Sequence, residues 1–281
     1  MSNSLFDKLA SVFVRRHRPE RDTGVDGKTM FDHLADTWWD PDGFLQGIAP
    51  LLNPVRSKYF GSVLNDHFSN YSVINILDVG CGGGLLAEEL WSSKFSLYGL
   101  DISFPSVLCA KEHTTYSGAS ISYLNSSAEA IPFPHGYFDA VICADVLEHV
   151  DDWRQSIKEI SRVLKPNGIF LFDTVNRTLF SWLVVIKLIQ DWPLTRIVPK
   201  RGHVYEKLIR PDELNQAMRE HAVIERERSG LWTGANIYDV LSVGFNLKYG
   251  NMTFPEAGRR LQLELSPNTW MSYIGYGQKL P

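Results

Sequence analysis

A cluster of glycines directly after a short apolar segment most constrains the fold of this 281-residue chain. Residues 73–79 are mostly apolar, four glycines follow between positions 80 and 84, and a helical pattern begins at Leu85. This order predicts a buried strand that enters a helix through a tight turn, because glycine tolerates positive φ and lets a ligand approach the backbone closely. Taken alone, such a turn also fits an ordinary strand–helix loop.

Two carboxylates flank the glycine turn. Asp78 precedes it, and Asp101 ends a second predicted strand at 95–100. A carboxylate at the end of the second strand is where a ribose diol is bound in Rossmann-type folds. Asp78 would repel a pyrophosphate but suits a cationic ligand that carries an amino acid. The pair therefore favours S-adenosylmethionine over a dinucleotide, which argues against a nicotinamide-dependent dehydrogenase.

Strand and helix patterns alternate through the middle of the chain. Strands are predicted at 73–79, 95–100, 120–124, 138–143 and 168–174, and helices at 84–92, 103–115 and 152–164. Regular alternation predicts a parallel, doubly wound α/β sheet, whose ligands bind beyond the carboxyl ends of the strands. Four polar stretches fall at those ends, at 78–84, 101, 126–129 and 144–149.

Composition excludes several classes of protein. The chain is 44% hydrophobic and 21% charged, as globular proteins are, and its net charge of −4 gives no reason to expect nucleic-acid binding. Three scattered cysteines fit a reducing cytosol better than a disulfide framework. We see no signal peptide and no apolar run of the roughly 18 residues that span a bilayer. We therefore expect a cytoplasmic protein that can still touch a membrane surface.

Together these motifs resemble class I S-adenosylmethionine-dependent methyltransferases, and the surrounding segments are most similar to the ubiquinone-biosynthesis O-methyltransferase family. The resemblance covers about Met30 to Gly230. It is carried by Asp-Val-Gly-Cys-Gly-Gly-Gly at 78–84, Gly-Leu-Asp at 99–101, Trp-Trp-Asp at 38–40 and Asn-Pro-Val-Arg at 53–56. It implies a Rossmann-like α/β fold with a seven-stranded, mostly parallel, doubly wound sheet, N-terminal helices and an inserted lid region.

The resemblance also suggests a division of the chain. Residues 1–28 are expected to be a flexible arm, and 29–281 a single methyltransferase domain. The proposed parts of that domain are an N-terminal helical cap at 29–70, a cofactor-binding core at 71–176, a lid or membrane-facing insertion at 177–210, and a sheet-completing segment at 211–281. Within the last part, 233–267 is longer than in the family and either shapes the substrate pocket or mediates dimer contacts.

Cofactor contacts follow from the resemblance residue by residue. Arg56 is expected to pair with the methionyl carboxylate, which suits a planar guanidinium, although a solvated helix charge is the alternative. Ser127 stands where many class I enzymes have an acidic residue for the adenine amino group. The predicted cofactor-binding residues are Arg56, Asp78, Gly80, Cys81, Gly82, Asp101, Ile102, Ser127, Ala128 and Ala144.

Chemistry is suggested by Asp145, Glu148 and His149, which would share one face if the chain turned helically after the fourth strand. Two carboxylates and an imidazole can hold a divalent ion such as Mg²⁺ or Zn²⁺. The resembled family has Glu, Glu and His here, so Asp145 is a departure. In metal-free methyltransferases the same residues orient substrate or cap a helix. A general base would then be His149 or His203.

Two later segments keep alternative interpretations. His203 lies either in the active site or in an exposed loop, because Gly202 and Val204 replace the family's Thr and Asp. The apolar positions of 178–198 fit a membrane-facing helix or a core-facing lid.

From the sequence we expect an O-methyltransferase for a phenol or catechol hydroxyl of a small or lipid-tailed aromatic, with or without assistance from a divalent metal ion. The main alternative is a secondary-metabolite methyltransferase that acts without metal on a carboxylate, an amine or a non-phenolic hydroxyl. A cofactor-binding scaffold without turnover is a second alternative, which the acidic and imidazole cluster disfavours.

Overall fold

The structure, a computed structural model, describes residues 27–192 and 202–281. Its centre is an eight-stranded sheet in the order β3-β2-β1-β4-β5-β8-β6-β7. The strands are β1 Ile74–Val79, β2 Phe95–Asp101, β3 Ile121–Asn125, β4 Phe138–Ala144, β5 Leu164–Val175, β6 Val223–Thr233, β7 Leu263–Ser266 and β8 Ser272–Lys279. Strands β1 to β5 pair in parallel, whereas β6, β7 and β8 pair antiparallel. The predicted mostly parallel, doubly wound sheet is confirmed, with one strand more than the predicted seven because β7 forms inside the segment 233–267.

Helices cover both faces of the sheet. They are α1 Gly27–Leu34, α2 Ile48–Phe68, α3 Leu85–Leu90, α4 Phe104–Ser117, α5 Trp153–Val163, α6 Pro211–Glu220, α7 Ile237–Lys248 and α8 Phe254–Arg260. Alternate residues of β5 serve opposite faces: Phe170 and Phe172 join one apolar cluster with Ile160 of α5, whereas Leu171 joins another with Phe60 of α2. This two-sided burial explains why the central strands are almost continuously apolar.

Local signals fix the helix ends near the site. Ser103 caps α4 by accepting a hydrogen bond from the backbone N–H of Ser106, and Gly118 ends the helix with a φ of 73°. Asp152 caps α5 in the same way through Gln155. Such caps satisfy backbone groups that a helix leaves unpaired at its ends. They set where the loops after β2 and β4 end and the helices begin.

Two predictions about helices need correction. The motif Asn-Pro-Val-Arg at 53–56 predicts the start of a helix with Pro54 in its first turn, because proline suits that position. The helix α2 instead begins at Ile48 and carries Pro54 inside. The added first turns pack against α8 of the segment 233–267, which the sequence could not place. The predicted helix at 178–198 is a short helical turn, Leu179–Ser181, followed by a π-helix, Trp182–Asp191, and residues 193–198 lie outside the described residues.

The predicted arm at 1–28 lies almost wholly outside the described residues, which begin in α1, and the proposed division of the chain stays a prediction. Among the residues that the structure describes, no helix combines the length and apolar character needed to cross a membrane.

Two helical glycines test the packing of α8 against α2. A Cβ on Gly258 would lie 2.5 Å from the carbonyl oxygen of Gly47, whereas one on Gly61 would have no neighbour within 4 Å. Replacing a helical glycine by alanine ordinarily stabilises by about 0.5–1 kcal/mol. We expect Gly61→Ala to raise the free energy of unfolding in urea by about that amount and Gly258→Ala to lower it. A stabilising Gly258→Ala would contradict the close approach of the two helices.

Candidate active site

A cavity of about 1030 Å³, named the cofactor cavity after the predicted cofactor-binding residues in its wall, opens at the carboxyl ends of the central parallel strands. The structure brings every predicted cofactor-binding residue to its wall: Arg56, Asp78, Gly80, Cys81, Gly82, Asp101, Ile102, Ser127, Ala128 and Ala144. Their individual roles remain predictions.

The glycine turn is required by its backbone and by its neighbours. Gly80 and Gly82 have φ values of 74° and 52°, in the left-handed region that side chains rarely adopt. A Cβ on Gly80 would lie 2.2 Å from a methyl group of Val146, and one on Gly82 would lie 2.4 Å from the ring of Trp38. The turn is therefore closely packed on both sides, which leaves its backbone as the surface offered to a ligand.

Asp101 is anchored at the rim of the cavity. Its carboxylate accepts hydrogen bonds from the backbone N–H groups of Gly82 at 2.9 Å and Ser103 at 2.8 Å. Burial raises the pKa of Asp101, and these two hydrogen bonds oppose that rise because they favour the charged form. The carboxylate is thereby held in one orientation, as an acceptor for ribose hydroxyls needs to be.

Asp78 is the buried carboxylate that best fits a cationic ligand. Its Oδ2 atom is buried and has no hydrogen-bond partner among the described residues. Burial raises its pKa to about 7, with Asp101 and Asp173 adding to the rise and Arg56 opposing it. An unpartnered carboxylate beside the glycine turn suits the ammonium group of a methionyl moiety, so the residues present fit S-adenosylmethionine.

Arg56 makes a contact that the sequence reasoning missed. Its Nε and Nη2 donate to the two carboxylate oxygens of Asp173 at 2.7 and 2.6 Å, and Nη2 lies 3.9 Å from Asp145. Both partners of the main pair are buried. The guanidinium thus reaches the cavity wall while it neutralises Asp173. The one sequence feature that could have indicated this ion pair is Asp173 itself, a single acidic residue inside the apolar strand β5.

Four potential metal ligands meet at the end of β4. One ligand atom from each of Asp145, Glu148, His149 and His203 lies within 4.8 Å of all the others. The chain does not turn helically here, so the condition under which the sequence spacing would place these residues on one face is not met. Asp145 has a φ of 59°, and a tight turn follows in which the N–H of His149 donates to the carbonyl of Val146. The predicted residues therefore converge through a different backbone path.

Burial and mutual charge set the protonation of this cluster. Burial raises the pKa of Glu148 well above its ordinary value, and Asp145 adds to the rise. Burial also acts on Asp145, but Arg56 and the two imidazoles outweigh it and lower that pKa. Burial lowers the pKa of His149 to about 4 and that of His203 in the same direction. Neutral imidazoles beside a charged carboxylate are the forms that bind metal ions.

The orphaned atoms of the cluster indicate a missing partner. Glu148 Oε1 accepts from the backbone N–H of Val175 at 3.1 Å, whereas its Oε2 and the Nδ1 of His203 are buried without a hydrogen-bond partner in the described ranges. Buried polar atoms are rarely left unpaired. Two carboxylates and one imidazole already suit a divalent cation with mixed oxygen and nitrogen preference, and the second imidazole can serve as a further ligand or as a base.

His203 is brought into the site by Gln190 of the π-helix. Gln190 accepts from the backbone N–H of His203 at 2.7 Å and donates to its carbonyl at 3.1 Å. The side-chain amide thus fixes the loop backbone at His203. Of the two interpretations of His203, the structure favours the active site.

A second, largely apolar cavity of about 1190 Å³ adjoins the first. Both cavities are lined by Phe31, Ile48, Arg56, Asp145 and His149, and His203 lines the second one. The remaining wall includes Val185 of the π-helix, Leu231 of β6, Leu247 and Phe254 of the segment 233–267, and Met271 directly before β8. The segment 233–267 therefore contributes to this pocket, which is one of the two roles considered for it.

Ser127 has a neighbour that the cofactor prediction did not include. Its hydroxyl accepts from the backbone N–H of Glu129 and donates to Glu129 Oε2, both at 3.2 Å, and Glu129 lines the cofactor cavity. A carboxylate is therefore present two residues after the position where many class I enzymes have one.

Asp78 should make stability depend on pH. Its pKa in the folded protein, about 7, exceeds its ordinary value of 3.8, so the folded state holds the proton more tightly. The resulting stabilisation is complete below the ordinary value and is lost as the pH rises through about 7. Asp78→Asn removes this loss. We expect its stability advantage over wild type, measured by urea unfolding, to grow by about 2–3 kcal/mol between pH 5 and pH 8.

The exposed Asp66 on α2 provides a matched control for this measurement. Asp66→Asn should leave the pH dependence of unfolding as in wild type. An equal slope for wild type and Asp78→Asn would show that Asp78 does not keep its proton in the folded state.

Comparison with known proteins agrees with this geometry. A family model described as a methyltransferase domain matches residues 77–172. The chain is 32% identical to a ubiquinone biosynthesis O-methyltransferase of Rickettsia canadensis, over 78% of this chain and 89% of the relative. It is 35% identical to the enzyme of the same name from a Chelativorans species, over 72% of this chain and 81% of the relative.

Solved structures share the fold. A methyltransferase from Aquifex aeolicus that depends on S-adenosylmethionine superposes with a TM-score of 0.54 at 15% identity, covering 89% of this chain and 98% of that one. The YcgJ protein of Bacillus subtilis superposes with a TM-score of 0.57 at 18% identity, covering 80% and 99% of the two chains. The chain belongs to the S-adenosylmethionine-dependent methyltransferases, in the family of the ubiquinone biosynthesis O-methyltransferases.

Proposed function

We propose that this methyltransferase acts on a hydroxyl of a phenol or catechol that carries an apolar tail, assisted by a divalent cation held by Asp145, Glu148 and His149. The observation that carries the proposal is the position of this cluster, whose Asp145 and His149 line both the cofactor cavity and the apolar cavity. An acceptor that enters the second cavity would meet the methyl donor at that shared wall. The named relatives are ubiquinone biosynthesis enzymes, which agrees with a lipid-tailed aromatic acceptor.

Methyl transfer requires that the acceptor hydroxyl lose its proton and that the acceptor oxygen be aligned with the methyl group of the donor. The C–S bond of the sulfonium breaks as a C–O bond forms to the acceptor oxygen, and S-adenosylhomocysteine leaves. Since the methyl group is already activated, alignment supplies most of the rate enhancement. A divalent cation, when bound at the cluster, lowers the pKa of a hydroxyl that approaches it.

We assign the base to His203. It lines the apolar cavity, its buried Nδ1 has no hydrogen-bond partner among the described residues, and its backbone is fixed by Gln190. Burial lowers its pKa, so the imidazole is neutral near neutral pH and can take the proton of the acceptor hydroxyl at Nδ1. Asp145 and Glu148 would then serve the cation and His203 the proton.

The apolar cavity is the observation that supports an acceptor with an apolar tail. Its wall is built from aliphatic and aromatic side chains, and the polar groups converge at the end that it shares with the cofactor cavity. Pockets that combine an apolar wall with a few convergent polar groups fix the orientation of their ligands. The reactive ring would lie at the shared wall, with the tail toward Leu231, Leu247 and Met271.

The substrate and the cation can be tested together. With a prenylated catechol as acceptor, we expect turnover, followed as S-adenosylhomocysteine release, to stop in EDTA and to return with Mg²⁺, Mn²⁺ or Zn²⁺. Glu148→Gln should weaken cation binding. His203→Ala should lower kcat by about 10²-fold or more, as expected for the loss of a general base, with cation affinity retained. The exposed His135 provides the control, since His135→Ala should behave as wild type.

Other outcomes identify the alternatives. If His203→Ala abolishes cation binding, His203 is a fourth ligand and not the base. If chelation and Glu148→Gln leave turnover unchanged, the cation has no role. If no phenol or catechol is methylated, the metal-independent enzyme for a carboxylate, an amine or another hydroxyl takes its place.

We also propose a peripheral membrane contact through the π-helix. Val185, Ile186 and Gln190 face inward, whereas Trp182 and Leu183 are exposed beside Lys187. An amphipathic helix with exposed apolar and basic side chains suits the interface of an anionic bilayer. This face lies on the outer side of an element that lines the apolar cavity, which would let a lipid-tailed acceptor enter from the membrane.

Vesicle binding tests this contact. Leu183 and Leu108 are exposed to similar degrees, 48% and 44%, on different helices. We expect Leu183→Glu to reduce co-sedimentation with vesicles of phosphatidylglycerol and phosphatidylcholine severalfold, and Leu108→Glu to leave it unchanged. Equal binding of both variants would show that the π-helix does not meet the membrane.

A further inference from the structure

Two consecutive tryptophans of the cap lie directly on the glycine turn. They follow the short 3-10 helix Ala35–Thr37, and they precede the segment matched by the methyltransferase-domain model. A Cβ added to Gly82 or to Gly83 would lie 2.4 Å from Trp38 in either case. Trp38 is buried, lines the cofactor cavity and donates from Nε1 to the hydroxyl of Ser106 at 2.9 Å. It is therefore a packed wall of the turn.

Trp39 makes the polar contact. Its Nε1 donates to the carbonyl oxygen of Gly83 at 2.8 Å. Its ring stacks on the imidazole of His113 with centroids 3.4 Å apart and planes 2° apart. His113 belongs to α4 and is hydrogen-bonded through Nδ1 to Glu88 of α3 at 2.9 Å. The indole of Trp39 is thus held on one side by His113, which links α4 to α3, and it binds the glycine turn through Nε1.

The turn needs such support because of its composition. Glycines have more accessible backbone conformations than other residues and lose more entropy when they are fixed. The same turn donates the N–H of Gly82 to Asp101, so its conformation also sets the position of the expected ribose acceptor. A loop that must be ordered at binding lowers affinity, whereas one ordered beforehand does not.

We propose that Trp39 is a positioning residue for the methyl donor: its hydrogen bond to Gly83, braced by the stacked His113, preorders the glycine turn for S-adenosylmethionine. Trp39 acts through the backbone of the turn and does not itself have to touch the donor. The assignment rests on cofactor use and not on the proposed acceptor. A failure to methylate catechols would therefore leave it intact.

Calorimetric titration with S-adenosylhomocysteine tests the assignment. Trp39→Phe keeps a flat ring on His113 but loses the N–H donor. We expect its Kd to rise about three- to tenfold, as the loss of one hydrogen bond predicts, with the thermal midpoint of the ligand-free protein unchanged. Trp270→Phe, at an exposed tryptophan before β8, should bind as wild type.

A second pair of variants isolates the stacking. His113→Ala and His113→Phe both lose the pairing with Glu88, and they differ in whether a flat ring remains beneath Trp39. We expect His113→Ala to weaken binding and His113→Phe to restore it relative to His113→Ala. His113→Ala should add little in a Trp39→Phe background, because both changes act on the same contact.

Two results would overturn the assignment. One is an unchanged Kd in Trp39→Phe. The other is a loss of affinity that is the same in Trp39→Phe and in both His113 variants and that accompanies a lowered thermal midpoint of the ligand-free protein. In that case the contact would only stabilise the fold.

Discussion

The buried ion pair between Arg56 and Asp173 is the interaction on which the site depends. It joins α2 to β5 through two short hydrogen bonds, and its two residues are almost fully buried. The backbone carbonyl of Asp173 also accepts from the N–H of Asp145, whose φ of 59° is unusual for a residue other than glycine. Removing one partner of such a pair leaves an unpaired buried charge, which costs several kcal/mol. The wall that separates the two cavities is thus built on this pair.

The distribution of charged side chains explains which ligand groups this wall favours. Asp78, Asp145, Glu148 and Asp173 lie near one guanidinium, that of Arg56, which opposes the burial effect on three of them. The interior of the site is therefore rich in carboxylates. A sulfonium, an ammonium group and a divalent cation are each favoured there, whereas a pyrophosphate is not. Arg56 binds the carboxylate of Asp173, and a methionyl carboxylate at Arg56 would share the guanidinium with it.

Much of the fold was predictable because its signals are local. The alternation of strands and helices placed β1 to β5 and α3 to α5 within a few residues, and Asp78 and Asp101 located the cofactor cavity. The missing parts depend on contacts between distant segments. The early start of α2 requires α8, the eighth strand forms in a segment with weak strand signals, and His203 enters the site through Gln190. Neither hydrophobic period nor residue type reveals such partners.

Two features of the site could not be read from the sequence, for different reasons. Side-chain spacing brings Asp145, Glu148 and His149 together only if the turn after β4 is helical, whereas a left-handed residue at position 145 gives the same convergence by another path. Asp173 was passed over because an acid inside an apolar strand has no local pattern. Its partner lies 117 residues away in the chain. Both features concern charges whose burial is tolerated only because the tertiary structure brings partners to them. A carboxylate that interrupts a buried parallel strand therefore indicates a buried ion pair, because burial requires the carboxylate to have a partner. Here that partner, Arg56, lies in the wall of the site.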